Sequence, residues 1–192
     1  MLGPMRQLQN SLHAEQTMKR GLFLFIVLLT AVGCDNSYRP MSAKYRVRFS
    51  CRTDVAPFNQ LTTPGRFLSV RISPDRTTLT VTDPDGKTTT RPLTETESAS
   101  FALGLGGLIL GTPLFDNDNR SVSAYDLACP FCDQERYRLD FDIQGIAKCS
   151  KCGNSWSLNS SGFPSETVSS GVRPLYGYPV TSSVNGRISV SN

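Results

Sequence analysis

From Tyr45 the chain alternates apolar and polar residues, so that Tyr45, Val47, Phe49 and Cys51 share one parity. That is the pattern of a half-buried strand. Phe67 to Ile72 and Thr77 to Thr82 predict two more. Asp83-Pro-Asp-Gly86 is a tight-turn signature, and Lys87 to Pro92 reads as the returning arm of that hairpin. Ala56-Pro57 and Thr63-Pro64-Gly65 mark turns. Thr94 to Phe101 is the one plausible helical stretch, and it is short. Leu105 to Gly111 is apolar enough for a helix, but its glycines and its length predict a buried strand. Pro113 to Arg120 reads as a polar loop, and Val122 to Leu127 as a strand running into Cys129. No repeat at a solenoid period is visible. The pattern predicts an all-β fold with a cysteine-bearing insertion.

The N-terminal pattern differs. Lys19 and Arg20 precede an apolar run of 13 residues, Gly21 to Gly33. A membrane span needs roughly 20 apolar residues, so this run fits a signal peptide better. Residues 1–33 are the expected leader, with Met18 an alternative start. Ala31-Val32-Gly33-Cys34 resembles a bacterial lipobox, although Ala31 stands where leucine is usual. Cys34 is therefore the expected acylated N-terminus of a lipoprotein held at a bacterial membrane on the extracytoplasmic side. The alternative is an ordinary signal peptide in which Cys34 is incidental. Residues 34–44 read as a polar tether and residues 45–192 as one domain.

Composition narrows the function. From Cys34 onward 159 residues remain, enough for one domain with a real core. Of 20 basic and 16 acidic residues, Arg6, Lys19, Arg20 and Glu15 lie in the leader, which leaves 17 and 15. No basic run appears, which argues against a nucleic-acid partner. The single histidine, His13, also lies in the leader. Serine and cysteine catalysis that needs a histidine base is thereby excluded from the domain, and no sign of a small-molecule substrate site appears.

Cys129-Pro-Phe-Cys132 and Cys149-Ser-Lys-Cys152-Gly153 form C-x2-C-x16-C-x2-C. Two intervening residues let the chain turn so that both thiolates of a pair face one ion, and a second pair completes a tetrahedron. Three occupants fit this spacing: a single zinc or iron ion, an iron–sulfur cluster, or a pair of disulfides. Cys51 is left over and shares its strand's apolar parity, so it reads as a buried free thiol. Trp156 reads as core beneath the cysteine loops, and Tyr125, Tyr176 and Tyr178 as structural. Phe131, between two ligands, is expected to be exposed at the tip. Asp140 and Asp142 read as a solvated face.

The stretch from about residue 104 to 192 resembles a Rieske domain. Gly107 to Gly111, a loop and Val122 to Leu127 lead into Cys129-Pro130 as that family's strands lead into its first ligand loop. Cys149 to Leu158 resembles the second ligand loop with its Gly-x-x-aromatic continuation. Gly162 to Val180 resembles the proline-containing return loop and closing strand, and Val184 to Val190 the last hairpin arm. The resemblance implies a β-sandwich carrying a two-knuckle metal-binding subdomain and a [2Fe-2S] centre. It departs at Cys132 and Cys152, which stand where the family has histidines, and the first loop has one extra residue. A four-thiolate cluster implies a potential nearer roughly −400 mV than the Rieske range of about −150 to +300 mV. The extra residue also makes the first loop resemble a rubredoxin or zinc-ribbon knuckle. The expected function is one-electron transfer to a redox protein at the cell envelope. The alternative is a structural or binding lipoprotein holding zinc or disulfides.

Overall fold

The computed structural model describes residues 41–114, 121–182 and 185–192. The expected leader, Cys34 and most of the tether lie outside them, as does Val184. Fourteen strands and one short α-helix make up the described chain, so the all-β expectation holds. None of the described helices is long and apolar enough to cross a membrane.

The strands form three antiparallel sheets. The central one has six strands: β12 (Gly177–Tyr178), β7 (Ser123–Asp126), β6 (Leu108–Gly111), β2 (Phe67–Ile72), β3 (Thr78–Thr82) and β4 (Thr88–Pro92), in that order. One flanking sheet runs β13 (Val180–Ser182), β14 (Arg187–Ser191), β1 (Val47–Arg52) and β5 (Ala102–Leu103). The other runs β11 (Phe163–Glu166), β10 (Ser155–Ser157), β9 (Ile146–Cys149) and β8 (Leu139–Phe141).

Two hydrophobic clusters explain the layering. Val47, Phe49 and Cys51 meet Leu68, Val70, Leu79, Val81, Leu108 and Leu110 on one face of the central sheet. Phe67, Ile109, Tyr125 and Leu127 meet Leu139, Ala147, Trp156 and Leu158 on the other. Successive side chains of a strand point to opposite faces. The uninterrupted Leu108-Ile109-Leu110 therefore feeds both clusters, which is why this strand shows no alternation. Each such buried side chain contributes about 1.5–3 kcal/mol.

The predicted hairpin Asp83 to Gly86 is present, with Gly86 at φ 81. The predicted helix is α1 (Glu95–Ser100), opened by a capping box in which Thr94 and Glu97 satisfy each other's backbone N–H groups. Glu97 also pairs with both terminal nitrogens of Arg91, at 2.8 and 2.7 Å. Arg91 first, helped by the Thr94 N–H, lowers the Glu97 pKa from 4.5 to about 2. Residues 41–44, read from the sequence as tether, touch the domain: Ser42 N–H donates to the Gly177 carbonyl at 2.7 Å.

One polar group sits at the heart of the packing. Asp126 is fully buried and its carboxylate takes four donors. Oδ1 accepts from Gly106 N–H at 2.9 Å and Ala128 N–H at 2.7 Å. Oδ2 accepts from Leu105 N–H and Tyr178 Oη–H, both at 2.7 Å. Burial pushes its pKa up, opposed by these donors, and an acceptor-only arrangement is that of the ionised form. Gly106 permits the approach, since a Cβ there would sit 2.6 Å from the Ala128 nitrogen.

Asp126→Ala strands three N–H groups and a phenol, and is expected to cost roughly 3 kcal/mol or more in denaturant unfolding. Asp126→Asn turns an acceptor into a donor facing donors and is expected to destabilise as well. The Arg91–Glu97 pair gives a pH signature. Because the folded pKa of Glu97 is depressed, its contribution is complete above pH 4.5 and is lost as pH falls toward 2. Glu97→Gln should flatten that part of the stability-versus-pH curve.

Candidate metal centre

The first cysteine pair leaves the central sheet directly. β7 ends at Asp126, and the Asp126 bond to Ala128 N–H fixes the residue before Cys129. Cys129 N–H donates to the Tyr137 carbonyl at 2.9 Å, and Leu139 N–H to the Leu127 carbonyl at 2.8 Å. These close the loop so that β8 starts beside β7. The second pair sits in the turn of the β9–β10 hairpin, with Cys149 the last residue of β9.

The two knuckles share one geometry. Asp133 N–H donates to the Cys129 carbonyl at 2.8 Å, and Gly153 N–H to the Cys149 carbonyl at 2.9 Å. The residue after each second cysteine is left-handed, Asp133 at φ 52 and Gly153 at φ 74. Glycine reaches that region freely and aspartate tolerates it. N–H groups reach the sulfurs: Cys132 N–H to Cys129 Sγ at 3.4 Å, and the Asn154 side-chain amide to Cys152 Sγ at 3.3 Å.

All four sulfurs lie within 4.8 Å of one another. Two contacts cross between knuckles, Cys129 to Cys152 at 3.7 Å and Cys132 to Cys149 at 3.9 Å. Cys129 and Cys149 are buried, while Cys132 and Cys152 are partly exposed. Thus the spacing-based ligand set is one cluster in space and can hold a metal ion.

The chemistry of the donor set asks for a cation. Burial raises the Cys129 pKa, and burial pushes Cys132 up to about 11. For Cys152 burial opposes ionisation, but the Asn154 N–H and the neighbouring thiols outweigh it and the pKa falls. One thiolate in the cluster thus discourages the others. A divalent cation at the centre removes that repulsion.

The surroundings fix the loops. Trp156 is fully buried beneath them and donates its Nε1–H to the Arg173 carbonyl at 2.8 Å. Buried Asn154 bridges Cys152 to the 168 segment, accepting from Val168 N–H at 2.9 Å. Asp133 is clasped from outside the knuckle. Its carboxylate pairs with Lys44 and accepts from Tyr45 Oη–H at 2.6 Å and Tyr176 Oη–H at 3.0 Å. Lys44 and then the tyrosines hold the Asp133 pKa below the usual carboxylate range.

Sequence reasoning missed Asn154, Asp133 and Asp126. A polar residue directly after a ligand cysteine was the available signal for Asp133. Phe131 is 43% exposed, as expected for the tip. Cys51 is a buried free thiol, pushed by burial to about 12. Tyr178 bonds Asp126, and Asp140 and Asp142 are exposed. No known protein family, curated protein or solved structure matches this chain.

The cross-knuckle contacts make a specific prediction for the metal-free protein. Diamide, a two-electron azo oxidant, should join Cys129 to Cys152 and Cys132 to Cys149, releasing two protons per bond to the reduced hydrazine. Peptide mass mapping is expected to find these pairs. Disulfides within each knuckle, Cys129–Cys132 and Cys149–Cys152, would contradict the geometry.

Proposed function

We propose that this chain is a cell-envelope lipoprotein of Rieske-like layout whose four cysteines hold a single tetrahedral zinc ion as a structural cross-link. The carrying observation is the sulfur spacing. Four thiolates about 2.3 Å from one zinc stand about 3.8 Å apart, and two of the pairs here are 3.7 and 3.9 Å apart. A two-iron cluster places two thiolates on each of two irons. Its two pairs stand further apart than thiolates sharing one ion, which fits the 4.8 Å span less well.

The position of the site supports a structural role. Cys129 and Cys132 continue from the central sheet, whereas Cys149 and Cys152 belong to the small flanking sheet. An ion between them ties one sheet to the other, and its binding energy becomes folding energy. Zinc supplies charge neutralisation and fixed tetrahedral geometry without redox chemistry. The membrane attachment rests on the leader and Cys34. The Rieske likeness rests on two ligand loops carried at one end of a layered β fold, with Cys132 and Cys152 in the histidine places.

Electron transfer by iron, to a redox protein at the same membrane, is the second reading. The partial exposure of Cys132 and Cys152 and the exposed Phe131 favour it, because they leave an ion near the surface where a partner docks.

Metal analysis and a visible spectrum of protein made with iron and zinc both available separate the readings. One zinc per chain and no colour is expected. One iron with thiolate charge-transfer bands would establish the electron-transfer reading, and two irons with acid-labile sulfide a cluster. Cys132→Ser is expected to remove the ion and lower the melting temperature. Full stoichiometry in that variant would refute the ligand set. Intact mass of membrane-extracted protein tests acylation at Cys34.

A further inference from the structure

On the face of the central sheet away from the cysteines, the layers part into a cleft of ≈ 580 Å³. Small-molecule sites span roughly 300–1,000 Å³. Its lining includes Cys51, Phe58, Leu79, Val81 and Phe101, all core residues of the cluster between β1 and β3. This is an apolar floor reached from outside.

The rim is cationic. Arg52, Arg91 and Arg187 all line the cleft. Arg52 is occupied by Asp54, and Arg91 by Glu97. Arg187 has no carboxylate within ion-pair distance among the described residues. It also stands directly opposite Arg52 in the β1–β14 register. Like charges at such positions are destabilising. Three guanidiniums against two carboxylates leave one positive charge at the mouth of an apolar cleft.

We infer that this cleft is a binding site for a monoanionic amphiphile, a straight-chain carboxylate whose chain lies on the Phe58–Phe101 floor and whose head pairs with Arg187. The charge surplus of one matches one carboxylate. A polyphosphate ligand would need more donors and would leave the apolar floor unused. The inference does not depend on the metal.

Laurate below its micelle concentration, dodecanol and dodecyltrimethylammonium are the probes, titrated into the full chain by calorimetry. Saturable one-to-one laurate binding is expected, with dodecanol weaker and the cation weakest. Arg187→Gln, at an exposed position, should weaken laurate about tenfold or more and leave dodecanol unchanged. Ser100→Trp fills the cleft and should abolish both. Amide shifts should be confined to residues 50–58, 79–101 and 187. No saturable laurate binding, an Arg187→Gln variant that binds as well as the parent, or shifts centred elsewhere would each overturn the inference.

Discussion

The Asp126 carboxylate is the constraint on which the rest of the structure depends. Its four donors come from the segment before β6, from the residue preceding Cys129 and from β12. Three stretches of chain, far apart in sequence, thereby meet at one buried charge. An uncompensated carboxylate there would cost several kcal/mol, and four short hydrogen bonds offset that penalty. The arrangement is all or nothing, because removing any donor weakens the case for keeping the charge. It also sets the starting point of the first knuckle. Ala128 cannot move without breaking its bond to Asp126, so Cys129 leaves the central sheet in a fixed direction.

The second constraint is the thiol cluster, whose logic is the reverse. Asp126 brings a charge into the protein and surrounds it with donors. The cysteines bring four ionisable groups together with few donors. Among the described residues Cys129 and Cys152 each accept an N–H, while desolvation opposes ionisation. A bound cation would supply the missing neutralisation. The clasp on Asp133 holds its loop close without touching a sulfur, and Asn154 both bridges to Val168 and donates to Cys152 alone. The backbone sets the geometry of the cluster, and an ion held there would balance its charge.

Much of this was legible in the sequence, for reasons particular to each element. Strands with one wet face, such as β1, alternate and were found. The hairpin at Asp83 to Gly86 and the Thr94 to Glu97 capping box carry local chemistry that needs no tertiary information. The cysteine spacing encodes a local turn twice and was sufficient to pick the four cysteines that meet in space. β8 and β9, three and four residues long, are too short to show a period. Asp126 was invisible because three of its partners, Leu105, Gly106 and Ala128, contribute only backbone, and the fourth, Tyr178, a phenol common on any surface. The arginine-rimmed cleft was equally invisible, since its walls come from β1, β3, β4, α1 and β14.

The central sheet separates two chemistries. One face carries Phe67, Ile109 and Tyr125 toward the thiol cluster, and the other carries Leu68, Leu79 and Val81 toward the cleft. Alternation along β2 assigns neighbouring residues Phe67 and Leu68 to opposite sides. A ligand in the cleft and an ion at the knuckles would therefore share a wall one sheet thick without sharing a side chain. Close-packed interiors transmit strain, and along β2, β6 and β7 neighbouring residues belong alternately to the two clusters. Coupling between the sites would run through Leu108-Ile109-Leu110, Phe67-Leu68 and Ala124-Tyr125. An ion at the knuckles would fix one side of that wall, so movement the cleft demands would fall on β3 and β4, which lie furthest from β7 in the strand order.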